Sequence, residues 1–252
     1  MTWRKTYCGT EPQRVNKWLA AESVCSRREA EALIAKGLVK IDGARVEDPG
    51  RKIEPGQTLE IDEANSRPQI SIVLNKPVGV VSAQPEGDQV PAARLLSRAN
   101  LIGPPRNMPT KRTRLAPLGR LDQDSRGLLL LSEDGVLAKA VIGPDSKLDK
   151  EYLVRVEGRI EERKLALLRH GLSLDGRQLK PAKVTLAEPQ RLRFVLIEGR
   201  NRQIRRMCEA VDLRVSDLVR VRIGPLALGD LPEGKWRALT PAERETLLAQ
   251  SV

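Results

Sequence analysis

Residues 119–135 read GRLDQDSRGLLLLSEDG and set a short apolar run between polar turn residues. The run GLLLLS, residues 127–132, has the length and composition of a buried strand. Asp122 lies just before this strand, among Arg, Asp, Ser and Gly residues that are ordinary in a turn. Local pattern alone therefore favours a simple turn at Asp122 over a catalytic role.

The segments around this stretch predict a mixture of strands and helices. Upstream, IVLNKPVGVVSA indicates a strand interrupted by a bend at Pro77 to Gly79, and PAARLLSRA indicates a short helix. Downstream, VLAKAVIG predicts a helix and RLRFVLIEG predicts a strand. EYLVRVEG alternates, so we expect Tyr152 on the same strand face as Val154 and Val156.

A basic amphipathic helix, RQIRRMCEAV, is predicted at residues 202–211. Its apolar residues share one face at helical spacing, and its arginines share the other. The basic face is either solvated, with an Arg205 to Glu209 pair, or free to bind a phosphate or a carboxylate. The two faces consist of Ile204, Met207, Cys208 and Val211 against Arg202, Arg205, Arg206 and Glu209.

Two capping boxes predict the first residues of helices. Ser26 and Glu29 begin a helix that follows the helical segment RVNKWLAA, and Thr240 and Glu243 begin a helix near the C-terminus. A hairpin that turns at Asp42-Gly43 and a further strand, PGQTLEID, follow the first capping box. The first sixty residues therefore predict a small unit of two short helices and a small sheet.

Two segments without periodicity separate these elements. Residues 62–69, DEANSRPQ, predict a linker, so we expect one domain at 12–62 and another at 69–252. Residues 101–117, LIGPPRNMPTKRTRLAP, contain four prolines and four basic residues and predict a loop. This loop is either a disordered insertion or an added basic arm, and the sequence leaves both open.

The charge of the chain favours a polyanionic partner. Its 252 residues include 44 Lys and Arg against 33 Asp and Glu, a net charge of +11, which makes nucleic acid the leading candidate. Cys8, Cys25 and Cys208 are far apart and His170 is the only histidine, so we expect no disulfide framework and no metal site. We find no membrane-spanning apolar run and no signal-peptide core, and we expect a cytoplasmic protein.

The string at residues 119–135 resembles the signature GRLDxxSxGLxLLTxDG of the RsuA-type branch of the pseudouridine synthase family, with Ser132 where threonine is common. Three further segments occur in the family's order, one before the signature and two after it: LNKPVGVVS, KEYLVRV and EGRNRQIRRMCEAV. The first sixty residues resemble the S-four type of RNA-binding domain. The resemblance covers nearly the whole chain. It implies an α+β (mixed α/β) catalytic domain with a mainly antiparallel sheet, preceded by a small N-terminal S-four-type domain.

The same resemblance assigns three catalytic residues. The family's invariant aspartate falls on Asp122, its active-site tyrosine on Tyr152, and the basic partner of the aspartate on Arg205. Isomerising uridine requires breaking the bond from ribose to nitrogen, rotating the uracil and joining the sugar to carbon five. This chemistry needs no redox step, so we expect no cofactor.

The carboxylate of Asp122 has two possible roles in that reaction. It either stabilises or traps a cationic ribosyl centre, or it adds to the uracil ring as a nucleophile. Burial would favour its neutral form unless a cation opposed this effect, and Arg205 is the implied cation. Tyr152 offers a flat face for the target base and a hydroxyl that can help to remove the proton from carbon five.

A base inside folded RNA must be extruded, and the resemblance gives Arg120 the position that fills the vacated space. It also implies further RNA contacts on the first helical turns of the small domain and around the basic helix. The implied RNA-binding residues are Arg14, Lys17, Ser26, Arg27, Arg28, Arg120, Arg200, Asn201, Arg202, Gln203 and Arg206.

NRQIRRMCE together with the N-terminal domain looks most like the F-type synthases, which act on the 23S rRNA of the large ribosomal particle. We therefore expect ribosomal RNA or a ribosome-assembly intermediate as the partner of a monomeric enzyme. An alternative is a noncatalytic rRNA-binding assembly factor, in which Asp122 has no role. A third possibility, a glycoside hydrolase with Asp124 as second carboxylate, fits the net charge and the N-terminal unit poorly.

Overall fold

The computed structural model describes residues 2–22, 24–62, 69–83, 85–104, 108–110, 113–170 and 172–250. Most of the predicted linker, residues 63–68, and residues 105–107 and 111–112 of the predicted basic loop lie outside the described residues. The chain divides into two compact units. One comprises Met1–Gln69 with Asp134–Val136, and the other comprises Ile70–Glu133 with Leu137–Val252.

The first unit packs two helices with an antiparallel sheet in the order β1-β6-β3-β4. β2 pairs with β5 in a separate short ribbon. Its elements are β1 (Thr2–Thr6), β2 (Gln13–Arg14), α1 (Val15–Ala21), α2 (Arg27–Ala35), β3 (Val39–Ile41), β4 (Ala44–Arg45), β5 (Lys52–Ile53) and β6 (Thr58–Asp62).

The predicted local features of the first unit are confirmed. The Ser26 hydroxyl accepts a hydrogen bond from the Glu29 amide, and the Glu29 carboxylate accepts one from the Ser26 amide. Asp42 and Gly43 both have positive φ, 49° and 82°, as a two-residue hairpin turn requires. Trp18 is buried at the centre of the unit, where the Tyr7 ring meets it edge-on at 5.2 Å between centroids.

The second unit is built on one large sheet in the order β15-β16-β12-β17-β11-β7-β19. The elements after residue 69 are β7 (Ser71–Lys76), β8 (Val80–Val81), β9 (Val90–Pro91), β10 (Ala116–Pro117), β11 (Arg126–Ser132), α3 (Gly135–Ile142), β12 (Lys150–Glu157), α4 (Glu162–Arg169), β13 (Ser173–Leu174), β14 (Arg177–Gln178), β15 (Lys183–Glu188), β16 (Arg191–Leu196), α5 (Gln203–Glu209), β17 (Arg214–Ile223), β18 (Leu226–Ala227), β19 (Trp236–Ala238) and α6 (Pro241–Ala249).

One pair of neighbours in this large sheet, β11 and β17, is parallel, and the other pairs are antiparallel. Gly127 makes the parallel contact possible. It has a φ of 104°, and a Cβ added there would lie 2.3 Å from the Arg220 carbonyl oxygen. A side chain at Gly127 would therefore force β11 and β17 apart at the end of β11 that follows Asp122.

The structure differs from the predicted elements at residues 91–99. Instead of one helix, this segment contains 3₁₀ helices at Ala92–Leu95 and Arg98–Asn100. The Pro77 to Gly79 bend and the capping box of α6 are confirmed. In the part of the chain that the structure describes, no helix is long and apolar enough to cross a bilayer.

Candidate active site

A cavity of about 200 Å³ opens in the second unit beside the turn that precedes β11. A cavity of this size has room for several water molecules or for one flat ring. Residues distant in sequence meet here. The cavity is lined by Arg120, Leu121, Asp122, Ser125, Tyr152, Leu196, Glu198, Gly199, Arg200, Asn201, Arg202, Gln203, Ile204, Arg205 and Leu218.

Buried groups fix the turn that carries Asp122. The Ser82 hydroxyl donates to the Leu121 carbonyl at 2.6 Å and accepts from the Leu121 amide at 2.9 Å. The Ser125 amide donates to the Asp122 carbonyl at 3.1 Å, and Arg220 Nη1 donates to the Arg120 carbonyl at 3.4 Å. The backbone on both sides of Asp122 is therefore held, which places its half-buried carboxylate at the cavity wall.

Arg202 brings a cation close to Asp122 through a strained backbone. It precedes α5 with φ 48° and ψ 31°, a left-handed conformation that costs a non-glycine residue about 1–2 kcal/mol. Its guanidinium donates to both Asp124 oxygens, at 3.2 and 3.0 Å, while Nη1 lies 3.8 Å from Asp122 Oδ2. Such strain persists where surrounding contacts hold it, and here the contacts are two carboxylates.

Asp124 stays ionised because two arginines surround it. Burial raises the pKa of Asp124, but the hydrogen bonds from Arg202 and the charges of Arg205 and Arg202 lower it more, so the pKa lies below its ordinary value. This paired carboxylate is what holds Arg202 next to Asp122.

The position of Arg205 corrects its expected pairing with Asp122. Of the two alternatives for the basic face, solvation or binding of an anion, Arg205 takes the second: it is only 8% exposed and contacts the turn through the Asp124 carboxylate. Nη2 donates to the Asp124 carbonyl at 2.8 Å and to Ser125 Oγ at 3.3 Å. Nε lies 3.3 Å from Asp124 Oδ2 without forming a hydrogen bond. Arg205 is thus buried against the turn, which supplies its acceptors.

Tyr152 reaches the cavity from the central strand β12. Its neighbours across the strands are Phe194 on β16 and Arg220 on β17. A register shift between Glu151 and Tyr152 interrupts the regular ladder at this residue. As expected from the alternation, Val154 and Val156 are fully buried, whereas Tyr152 is half-buried with part of its surface open to the cavity.

The loop between β16 and α5 is tied to itself by Glu198, which the sequence did not reveal. Glu198 Oε1 accepts from Gln203 Nε2 at 3.1 Å, and Gln203 Oε1 accepts from the Arg200 amide at 2.9 Å. Arg200 Nη2 donates to the Gln178 carbonyl at 2.9 Å. The Glu198 carboxylate therefore orders the cavity wall through Gln203, a role that its place in a turn did not indicate.

Two buried cations, Lys76 and Arg220, lie in the strands beside the turn, and neither was predicted. Lys76 Nζ donates to the Pro77 and Val80 carbonyls at 2.9 and 2.6 Å. Burial lowers the pKa of Lys76 to about 8, opposed by the charges of Asp122 and Asp124. Arg220 Nε donates to the Leu128 carbonyl at 2.8 Å, and its buried Nη2 has no hydrogen-bond partner among the described residues.

The expected RNA contacts separate into several settings. Arg120 and Asn201 are exposed at the cavity, whereas Arg206 lies outside its lining and pairs with both oxygens of Asp175, at 2.9 and 2.6 Å. In the first unit, the Ser26 hydroxyl accepts the capping hydrogen bond from the Glu29 amide. The cations Arg14, Lys17, Arg27 and Arg28 are exposed, with no carboxylate within 4 Å among the described residues.

No group of three or more His, Cys, Asp or Glu side chains is arranged to hold a metal ion in the described ranges.

The family model described as RNA pseudouridylate synthase matches residues 70–210, and the S4 domain model matches residues 13–59. The expected mixed fold with an antiparallel-rich sheet and an N-terminal S4 domain is confirmed.

Individual proteins match over most of the chain. The dual-specificity RNA pseudouridine synthase RluF of Escherichia coli (strain K12) is 35% identical over 235 residues, which cover 91% of this chain and 76% of RluF. Ribosomal large subunit pseudouridine synthase B of Bacillus subtilis (strain 168) is 34% identical, with 94% of this chain and 96% of that protein covered. A crystal structure of a pseudouridylate synthase superposes with a TM-score of 0.65 at 27% identity, covering 94% of this chain and 100% of the other.

Proposed function

The chain belongs to the RNA pseudouridylate synthase family and is an isomerase, and we propose that it converts a specific uridine of ribosomal RNA to pseudouridine with Asp122 as its essential carboxylate. One observation carries this proposal. Asp122 and Tyr152 come from separate segments, yet they line one small cavity together with Arg202 and Arg205. The S4 match supports RNA as the substrate, because it adds a second RNA-binding unit to the same chain.

In the proposed reaction, the uracil of the extruded uridine occupies this cavity against Tyr152. The bond between ribose carbon one and ring nitrogen one breaks, the ring rotates, and a bond forms from ribose carbon one to ring carbon five. The proton on carbon five leaves and nitrogen one gains a proton, so atoms and electrons balance without an external reactant. We assign assistance in the proton removal to the Tyr152 hydroxyl, a role supported by the presence of Tyr152 in the lining of the same cavity as Asp122.

Asp122 supports this exchange as an anion. Arg202 Nη1 lies 3.8 Å from Asp122 Oδ2, so a positive charge stands beside the carboxylate without a close hydrogen bond to it. The carboxylate can then stabilise or trap the ribosyl cation, or add to the ring, and both routes leave the enzyme unchanged at the end.

The remaining proposed roles follow the contacts. Arg205 acts on Asp122 through the turn, because it holds the Asp124 carbonyl and Ser125. Arg120 is exposed at the cavity and fills the space that the extruded base leaves. RNA-backbone contacts are proposed for Arg14, Lys17, Ser26, Arg27, Arg28, Arg200 and Asn201. Arg202, Gln203 and Arg206, which were expected in the same role, instead bind carboxylates of the protein.

We further propose 23S rRNA, or an assembly intermediate that contains it, as the substrate in the cytoplasm. The large-subunit name of the Bacillus subtilis relative supports this choice. We also propose that the enzyme acts as a monomer. The proposed domain limits are 12–62 for the S4 domain and 69–252 for the catalytic domain.

The test is the Asp122→Asn substitution, which keeps the shape of the side chain and removes its charge. Purified wild-type and variant proteins are incubated with 23S and 16S rRNA, and pseudouridine is mapped by chemical labelling and primer extension. We expect one modified position with the wild type and none with Asp122→Asn, while RNA binding and the circular dichroism spectrum are retained. Asp145→Asn, at an exposed aspartate outside the cavity, is the control and should keep full activity.

A further inference from the structure

A second cavity, of about 450 Å³, lies beside the first and has a different lining. It is formed by Val78, Gly79, Gln123, Asp124 and Arg202. Arg202 lines both cavities, and the turn Asp122-Gln-Asp contributes Asp122 to the first cavity and its next two residues to the second. The two cavities therefore share a wall formed by this turn and Arg202.

The surface of the second cavity is apolar at Val78 and open at Gly79. Val78 is 53% exposed, although it is a large hydrophobic residue. Gly79 has a φ of 88°, and a Cβ added there would meet no atom within 4 Å. An exposed apolar side chain next to open space is a surface on which a flat ring can lie.

The bend that presents Val78 is held from both sides. The buried Lys76 ammonium donates to the carbonyls of Pro77 and Val80, on either side of the bend. The Gly79 amide donates to the Gln123 carbonyl at 2.8 Å. The exposure of Val78 is thus a fixed feature of the fold, because buried or backbone groups pin the residues around it.

The charges of this cavity select a neutral ligand. Arg202 and Asp124 form a two-point ion pair, at 3.2 and 3.0 Å, so the cation is already neutralised by a carboxylate. A phosphate would meet the Asp124 anion, whereas a nucleobase offers a flat face to Val78 and polar edges to the Gln123 amide and Asp124.

We propose that the second cavity receives the nucleobase immediately next to the target uridine, so that this position of the RNA is read by Val78 and Gln123. The inference rests on the proposed function, which places the target uracil in the first cavity. It adds a sequence-determining subsite to the reaction, separate from the carboxylate chemistry.

The test uses synthetic RNA hairpins with the uridine in a single-stranded loop. Each hairpin is made intact and with an abasic nucleotide on the 5′ or the 3′ side of the uridine. Two quantities are measured: the rate of pseudouridine formation, and the Kd of the Asp122→Asn protein for the same hairpins. The Kd remains measurable if no isomerisation occurs, so failure of the proposed function is distinguished from failure of this inference.

We expect removal of one of the two neighbouring bases to weaken binding by the Asp122→Asn protein about tenfold, as removal of a stacked base does. Adding Val78→Ser to this parent should weaken binding of the intact hairpin by a similar factor and make the protein insensitive to the abasic change. Val78→Phe, which enlarges the stacking surface, should bind the intact hairpin more tightly. Leu186→Ser, at another exposed apolar residue, should respond to the abasic change as the parent protein does.

If the abasic change weakens the Val78→Ser protein as much as its parent, or weakens neither, the inference is overturned. Absence of pseudouridine with the expected Kd pattern would instead overturn the proposed function and keep the subsite.

Discussion

The cations around Asp122 are held by protein groups, whereas the cations on the first turns of α1 and α2 face solvent. Lys76, Arg205 and Arg220 are buried and donate to backbone carbonyls. In the S4 unit, Arg27 and Arg28 are exposed, with no carboxylate within 4 Å among the described residues. Buried cations in fixed contacts define geometry, and exposed ones attract a polyanion at long range. We therefore expect the buried cations of the catalytic unit to position the site, and the exposed cations of the S4 unit to attract RNA.

The largest effect that tests this division is expected at Arg205. Arg205→Met should lower kcat about 100-fold, as the loss of an oriented charged donor does in other active sites. It should also lower the free energy of unfolding by about 1–3 kcal/mol, because the Asp124 carbonyl and Ser125 lose their buried donor. Single-turnover rates and urea unfolding measure both.

Arg159→Met is the matched control for Arg205→Met, since Arg159 has an 87% exposed side chain in a surface ion pair. Its effect on the free energy of unfolding should stay under about 1 kcal/mol. A wild-type kcat for Arg205→Met would contradict the positioning role.

A smaller effect is expected in the S4 unit. Replacing Arg14, Lys17, Arg27 and Arg28 together by Gln should raise KM about tenfold and leave kcat unchanged, because these side chains attract RNA without shaping the cavity. The slope of log affinity against log salt should become shallower by about 0.7–0.9 for each phosphate that the protein no longer neutralises. Filter binding across a salt series measures the slope.

The matched control for the S4 variant removes the same charge from exposed positions of the catalytic unit. It replaces Lys147, Arg155, Arg159 and Lys183 by Gln. An equal change of slope in both proteins would mean that net charge, and not the S4 surface, captures RNA.

The remaining effect concerns stability and not RNA binding: it is a pH dependence at Lys76, whose pKa is lowered to about 8 by burial. Between that pH and the ordinary lysine pKa of about 10.4, the unfolded chain holds a proton that the folded chain has released. The free energy of unfolding contributed by Lys76 therefore rises with pH in this window, on the order of 2 kcal/mol. Urea unfolding at pH 7 and 10 measures this effect. The free energy of unfolding of the wild type should rise with pH relative to that of Lys76→Met, and an equal difference at both pH values would contradict a buried ammonium at Lys76.

Local features of the fold were predictable because short-range chemistry determines them. The capping boxes at Ser26 and Thr240 and the Asp42-Gly43 hairpin involve partners within a few residues, so the sequence shows both donor and acceptor. The 91–99 segment was predicted less well, since helical spacing does not distinguish one α-helix from two short 3₁₀ turns.

The site was predictable as a set of segments and not as a set of contacts. The signature around Asp122 identified the turn, but a helical wheel shows only that the arginines of α5 share a face and does not show which of them meets a carboxylate. Arg205 is buried because its acceptors come from Asp124 and Ser125, some eighty residues away in the chain. Arg220 was missed for a related reason. A basic residue within an alternating strand is usually placed on the open face, and local pattern does not reveal the Leu128 carbonyl that receives it.

The most direct test of the central claim maps pseudouridine in ribosomal RNA from three cell lines. One expresses the wild-type protein, one lacks it, and one expresses Asp122→Asn at the same level. The proposed function predicts one 23S position that is modified with the wild type and unmodified in the other two. Modification at that position in cells with Asp122→Asn, or an identical map in cells that lack the protein, would contradict it.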